Sequence, residues 1–188
     1  MKLTIPTDKS YLAIIDFEAT CSNDGSIPRN ESEIIEFAAV IVKKNNFKIV
    51  KKYSKFVKPV IHPSLTEFCK NLTSISQENI DQADTFDIVL QDFRREVLEA
   101  FNYDVAFCSW GNYDKNILKE NCDLHGVKFP FEDENHINLK NFVWKKVLNR
   151  DKARGISATL NYLGMVFKGR KHRGIDDAIN IVRILKAL

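Results

Sequence analysis

The stretch from Tyr11 to Cys21, YLAIIDFEATC, constrains this chain more than any other. Its apolar and aromatic residues Tyr11 to Ile15 run directly into Asp16, Phe17 and Glu18. That pattern predicts a buried strand delivering two carboxylates at its end. Side chains alternate faces along a strand, so Asp16 and Glu18 share one face and Phe17 takes the other. Their Cα atoms then lie roughly 7 Å apart, a spacing at which two acids can share hard cations ~3.5–4 Å from each other. From Tyr11 to Asn23 there is no lysine or arginine to offset them. Uncompensated carboxylates at the end of an apolar strand are destabilising unless a cation neutralises them. The plainer alternative is a solvated strand end, because D-x-E is a short pattern.

The 188 residues suit one domain (1–188, its core about 10–188) that buries a core without staples. No run approaches the ~18 consecutive apolar residues of a membrane span, and Met1 to Ser10 lacks the apolar run of a signal peptide. The expectation is therefore a cytoplasmic protein with no membrane partner. Cys21, Cys69, Cys108 and Cys122 have neither C-x-x-C pairing nor zinc-like spacing and read as reduced thiols. The net charge is only +3, but it is unevenly spread. Seven lysines and no acid fall between Lys43 and Lys58, and a second basic cluster spans Lys168 to Arg173. A polyanionic partner accounts for both clusters. Protection of a sheet edge accounts equally well for the first.

After a polar loop from Ser22 to Ser32, Glu33 to Val42 reads as a central strand. The Asn45–Asn46 turn joins it to a third strand, Phe47 to Val57, in a meander. Short helices are expected near Leu65–Cys69 and Ile75–Ile80. Asp84–Thr85 reads as the N-cap of a helix burying Phe86, Val89, Leu90, Phe93 and Val97. Asp104 to Trp110 follows as a strand. In the next helix Asp114, Ile117, Leu118 and Asn121 share a face, which turns Asp114 inward. His136 to Leu139 is a candidate short strand, with helices near 140–149 and 157–163. In the last helix Asp177, Ile181, Ile184 and Leu188 form the buried stripe, with Asp176 about 100° away toward solvent. The order predicts a mixed α/β sheet with helices on both faces.

Four acids, Asp16, Glu18, Asp114 and Asp177, thus sit at element ends where sheet and helices converge. Singly, each is explained by a favourable helix dipole or a solvated end. His172 lies five residues before Asp177, in a loop flanked by cations. An imidazole there is suited to taking a proton from water at neutral pH.

Three segments, DFEATC from Asp16 to Cys21, WGNYD from Trp110 to Asp114 and HRGIDD from His172 to Asp177, resemble the three motifs of the DEDDh 3′→5′ exonucleases. The wording DFEATC is similar to the branch that contains histone-mRNA 3′ exonuclease and the enhancer-of-RNA-interference exoribonucleases. Further matches are Ile34 to Phe37, Phe56 to Pro59, Leu65 to Thr73 with Ile75 to Gln77, Ala83 to Phe86, and Leu163–Gly164. The resemblance implies an RNase H-like mixed five-stranded sheet flanked by helices. It implies release of nucleoside 5′-monophosphates from the 3′ end of single-stranded RNA or a 3′ overhang. Asp16, Glu18, Asp114 and Asp177 would hold two Mg²⁺ or Mn²⁺ ions, oxygen-only ligands suiting hard cations, and His172 would be the general base. Phe68 and Trp110 match the aromatic pair that sandwiches the terminal base, and Thr20 would approach the terminal sugar.

Some members of that family place the second-motif aspartate directly after the tryptophan; here it comes four residues later, and the helical face selects Asp114. Because Tyr11 begins the nuclease pattern almost at once, the additional nucleic-acid-binding domain of the histone-mRNA enzyme is not expected in this sequence. Two alternatives stand beside an exoribonuclease acting on RNA: an exonuclease of the same chemistry working on DNA, and an inactive RNA-binding module.

Overall fold

The structure is a computed structural model that describes residues 3–131 and 136–188. Its centre is an antiparallel meander of β1 (Tyr11–Ala19), β2 (Ile34–Lys43) and β3 (Ile49–Lys58). Two short helices follow, α1 (Glu67–Thr73) and α2 (Gln77–Asp81), then β4 (Asp84–Thr85) and α3 (Phe86–Phe93). Next come β5 (Val105–Ser109), α4 (Tyr113–Leu124) and β6 (His136–Asn138). The chain ends with α5 (Leu139–Asn141), which continues as a π-helical turn over Phe142–Val147, then α6 (Ile156–Tyr162) and α7 (Gly174–Ala187). The sheet order is β4-β3-β2-β1-β5-β6, with β5 parallel to β1 and β6 parallel to β5.

The mixed α/β sheet flanked by helices matches the expectation, with six strands rather than five. The additional strand is Asp84–Thr85, which pairs in parallel with Val57–Lys58. A two-residue strand has no periodicity, and the same residues also precede α3, where Thr85 is the N-cap without a side-chain capping bond. Beyond that pairing the outer edge of β3 has no strand partner among the described residues, and Lys52, Lys55 and Lys58 are exposed there. This is the arrangement that deters edge-to-edge association.

Alternation along β1 and β2 sorts the core into two layers. Ala13, Ile15 and Phe17 join Phe37, Ala39 and Ile41 under α3 and α4. There Phe37 packs against Phe17 and Phe93, with ring centroids 4.6 and 4.7 Å apart. Leu12, Ile14, Val40 and Val42 face Ala178, Ile181, Val182 and Leu185 of α7. β2 is therefore apolar on both faces, as a central strand must be. Among the described residues no helix is long and apolar enough to cross a membrane.

Candidate active site

The face of β1 that buries Leu12 and Ile14 against α7 continues as Asp16 and Glu18. At that point α7 begins, and its first turn supplies Asp177. Ligand oxygens of Asp16, Glu18 and Asp177 all lie within 4.8 Å of one another. Close approach of the helix to the strand requires a glycine. A Cβ on Gly174 would stand 2.3 Å from the Asp16 carbonyl oxygen and 3.0 Å from the Ala38 Cβ. Asp16, Glu18 and Asp177 converge because of that contact.

Asp114 arrives from the other side. The β1–β5 ladder ends at the pair Ile15–Ser109, so the next outward N–H of β1 has no strand partner. Asp114 Oδ1 accepts that Phe17 N–H at 3.0 Å, which fixes the first turn of α4 against the end of β1. Further along α4, Asn121 accepts from the Ile34 N–H and donates to the Ser32 carbonyl, at 2.9 and 3.1 Å. The inward stripe of this helix is thus polar at both ends for structural reasons.

His172 stands on an exposed loop with φ +60°, and its N–H donates to Asp177 Oδ2 at 2.9 Å. The loop is anchored on Glu36, a fully buried carboxylate on β2 directly opposite Glu18. Glu36 accepts from the Arg173 Nε and the Gly174 N–H, both at 3.0 Å, and from the Ser54 hydroxyl at 3.0 Å. Arg173 also lies over the Phe56 ring at 5.2 Å. An otherwise uncompensated buried charge is thereby paired, and the loop acquires one position.

The four acids are not compensated in this way. Among the described residues none of them forms an ion pair. Burial raises Asp16 well above the ordinary carboxylate range, with Asp114, Asp177 and Glu18 adding to the effect. Burial, then the charge of Asp177, pushes Glu18 up to about 9. Asp114 and Asp177 are pushed up to about 6 by burial, opposed by the N–H groups of Phe17 and of His172 and Arg173 respectively. A cluster of acids that repel one another, lined only by oxygen donors, fits hard divalent cations.

All four carboxylates and His172 line one cavity of about 580 Å³, together with Trp110. Trp110 Nε1 donates to the Arg154 carbonyl at 3.0 Å, tying the 149–155 loop to the rim. Two other residues singled out in the sequence do not line it. Thr20 is 1% exposed, and its hydroxyl accepts the Glu33 N–H at 2.9 Å. Phe68 is 37% exposed on α1. The cavity also takes in Tyr113, Lys140, Ser157 and Lys171, which the sequence reading did not single out for the site. For Tyr113 a signal existed, because the neighbour of an inward Asp114 is rotated about 100° outward. Lys140 gave none, since only the return of the chain through β6 brings it there.

Residues 13–185 match the RNase_T exonuclease family. The human protein named 3′-5′ exoribonuclease 1 is 35% identical over 182 residues, covering 93% of this chain and 51% of that protein. The Bacillus subtilis protein named probable 3′-5′ exonuclease KapD is 32% identical over 180 residues, covering 93% of this chain and 82% of its own length. Among solved structures, the nuclease domain of 3′hExo, described as a DEDDh family member bound to rAMP, superposes with a TM-score of 0.83 at 33% identity. That match covers 95% of this chain and 90% of the other. The chain spans about half the length of the human relative.

Proposed function

The chain belongs to the RNase_T exonuclease family, and on that premise we propose that it is a metal-dependent 3′→5′ exoribonuclease. It releases nucleoside 5′-monophosphates from single-stranded RNA or a 3′ overhang. The observation that carries this reading is the convergence of Asp16, Glu18 and Asp177 within 4.8 Å, uncompensated by any cationic side chain among the described residues. Asp16, Glu18, Asp114 and Asp177 would hold two Mg²⁺ or Mn²⁺ ions, whose chemistry when bound would be Lewis acidity toward the scissile phosphodiester and its leaving 3′ oxygen.

The protein's own groups do the rest. His172, exposed at the cavity and held at its backbone by Asp177, takes the proton of the attacking water. Trp110, on the cavity wall, holds the terminal base; Phe68, exposed on α1 outside the cavity lining, is not needed for that contact. Tyr113, 42% exposed beside Asp114, adds a further aromatic surface. Base stacking on such rings contributes ~1–3 kcal/mol per base.

A time course with 5′-labelled single-stranded RNA and DNA of one sequence, in Mg²⁺ and in EDTA, tests this. The expected result is a ladder shortened from the 3′ end on RNA, requiring metal and weaker on DNA. A stronger ladder on DNA would favour the deoxyribonuclease, and no shortening in Mg²⁺ or Mn²⁺ would favour a binding module.

A further inference from the structure

The segment that supplies one side of the cavity is strongly basic, with Lys140 and Lys171 in the lining itself. Between Leu139 and Arg173 the chain carries ten lysines and arginines and a single acid, Asp151. Since the whole chain is only +3, the rest of the chain taken together is net acidic. The segment begins in the cavity at Lys140, runs out over the surface, returns through Gly155 to Ala158, and re-enters at Lys171. Two of its loops flank α6, whose first residues line the cavity. Arg150 and Lys152 lie on one loop and Lys168 and Arg170 on the other, and all four side chains are exposed. Among the described residues none of the four makes an ion pair or a side-chain hydrogen bond. The first loop is held to the rim by the bond from Trp110 to the Arg154 carbonyl, and Arg154 itself lies over Trp144 at 5.5 Å.

The other lysine-rich region differs in kind. Lys51 pairs with Glu96 at 2.8 Å, and Lys44 donates to the Thr7 carbonyl at 2.7 Å. Of the remainder, Lys52, Lys55 and Lys58 follow the open edge of β3, while Lys43 and Lys48 stand at the hairpin turn between β2 and β3, and none of these lysines lines the cavity. Its charge is explained by edge protection, whereas that of the 139–173 wall is not.

We propose that the basic wall formed by residues 139–173 is the track for the phosphodiester backbone of the nucleotides upstream of the 3′ end. The enzyme would then hold a long strand more tightly than a short one. A polyanion leading away from an acidic centre needs cations beside that centre, and exposed, unpaired lysines and arginines supply them without reading sequence. Tyr162 on α6, 47% exposed and 5.1 Å from the Trp144 ring centroid, offers a base a stacking face on the same wall. The inference rests on the nucleic-acid reading above and adds the course of the strand outside the cavity.

The test compares two fourfold glutamine variants. One replaces Arg150, Lys152, Lys168 and Arg170; the other replaces Lys43, Lys48, Lys52 and Lys55. Affinity for a 5′-fluorescein 20-nucleotide RNA is measured by anisotropy in EDTA over a range of salt. The first variant is expected to bind at least about tenfold more weakly at low salt. Its log–log salt slope should flatten by about 0.7 for each phosphate that is no longer neutralised, up to about 3 in all. The second variant should bind like the parent, and turnover of a trinucleotide in Mg²⁺ should be the same in all three proteins. Parent-like binding by the first variant, or an equal weakening in both, overturns the proposal. A parent protein that cleaves nothing overturns the exonuclease reading alone, because the anisotropy comparison still reports on the wall.

Discussion

At the scale of single residues, His172 combines exposure with a fixed backbone, which is what a proton acceptor in water needs. His172→Ala removes the proposed acceptor and leaves the carboxylates in place. Turnover should fall ~10²-fold or more, while Mn²⁺ affinity measured by calorimetry stays within about twofold of the parent. A parallel loss of metal affinity would make His172 a ligand instead. Gly174 sets two effects against each other. Alanine in a helix is favoured over glycine by about 1 kcal/mol, yet here its Cβ would meet the Asp16 carbonyl at 2.3 Å. Backbone cannot yield as a flexible side chain can, and overpacking of this kind costs about 1–3 kcal/mol. Gly174→Ala should therefore lower the urea midpoint and reduce turnover together, because the shift separates Asp177 from Asp16.

At the scale of elements, the junction of β2 with the start of α7 is held by a buried charge. Glu36 accepts from Arg173, Gly174 and Ser54 and has no exposure. Removing one partner of a buried pair destabilises by about 3–5 kcal/mol. The Arg173 side chain is 26% exposed, so Glu36→Ala belongs at the low end, near 3 kcal/mol by urea unfolding. Element by element, the sequence was legible where its periodicity was long. The two-faced apolar run of β2, the Phe86 to Phe93 stripe and the Asp177 to Ile184 stripe all fold as the pattern indicates. Asp84–Thr85 and the π-helical turn at Phe142–Val147 were not legible as such. The first is too short to carry a period, and the second differs from an α-helix in hydrogen-bond pattern rather than in composition.

At the scale of the whole molecule, the fold gathers acids that it does not neutralise, and stability must depend on pH. Glu18 near 9, and Asp114 and Asp177 near 6, are all raised above the ordinary carboxylate values near 4. The folded state therefore binds protons more tightly than the unfolded state. This contribution is fully present below about pH 4 and is lost as pH rises through 6 toward 9. Divalent cations bind the deprotonated form and oppose the loss. The gap in Tm between Mn²⁺-loaded and EDTA-treated protein should widen steadily from pH 5.5 to 9 in a thermal shift series. A gap independent of pH would place the cation elsewhere.

What the sequence determined by itself was the chemistry and the faces. Alternation assigned Asp16 and Glu18 to one side of a strand, helical spacing turned Asp114 and Asp177 inward, and the unneutralised acids called for a cation. These follow from periods of 2 and 3.6, which are local properties of the chain. Only the tertiary structure decided how the pieces meet. It showed that the ladder with β5 ends at Ile15, two residues before Phe17, so that Asp114 can take the Phe17 N–H, and that Gly174 is pressed on Asp16. It also bound the Thr20 hydroxyl to Glu33 and brought Lys140 and Tyr113 into the cavity. Each of these depends on contacts between residues far apart in sequence, set by sheet order and ladder length, and no local pattern encodes them.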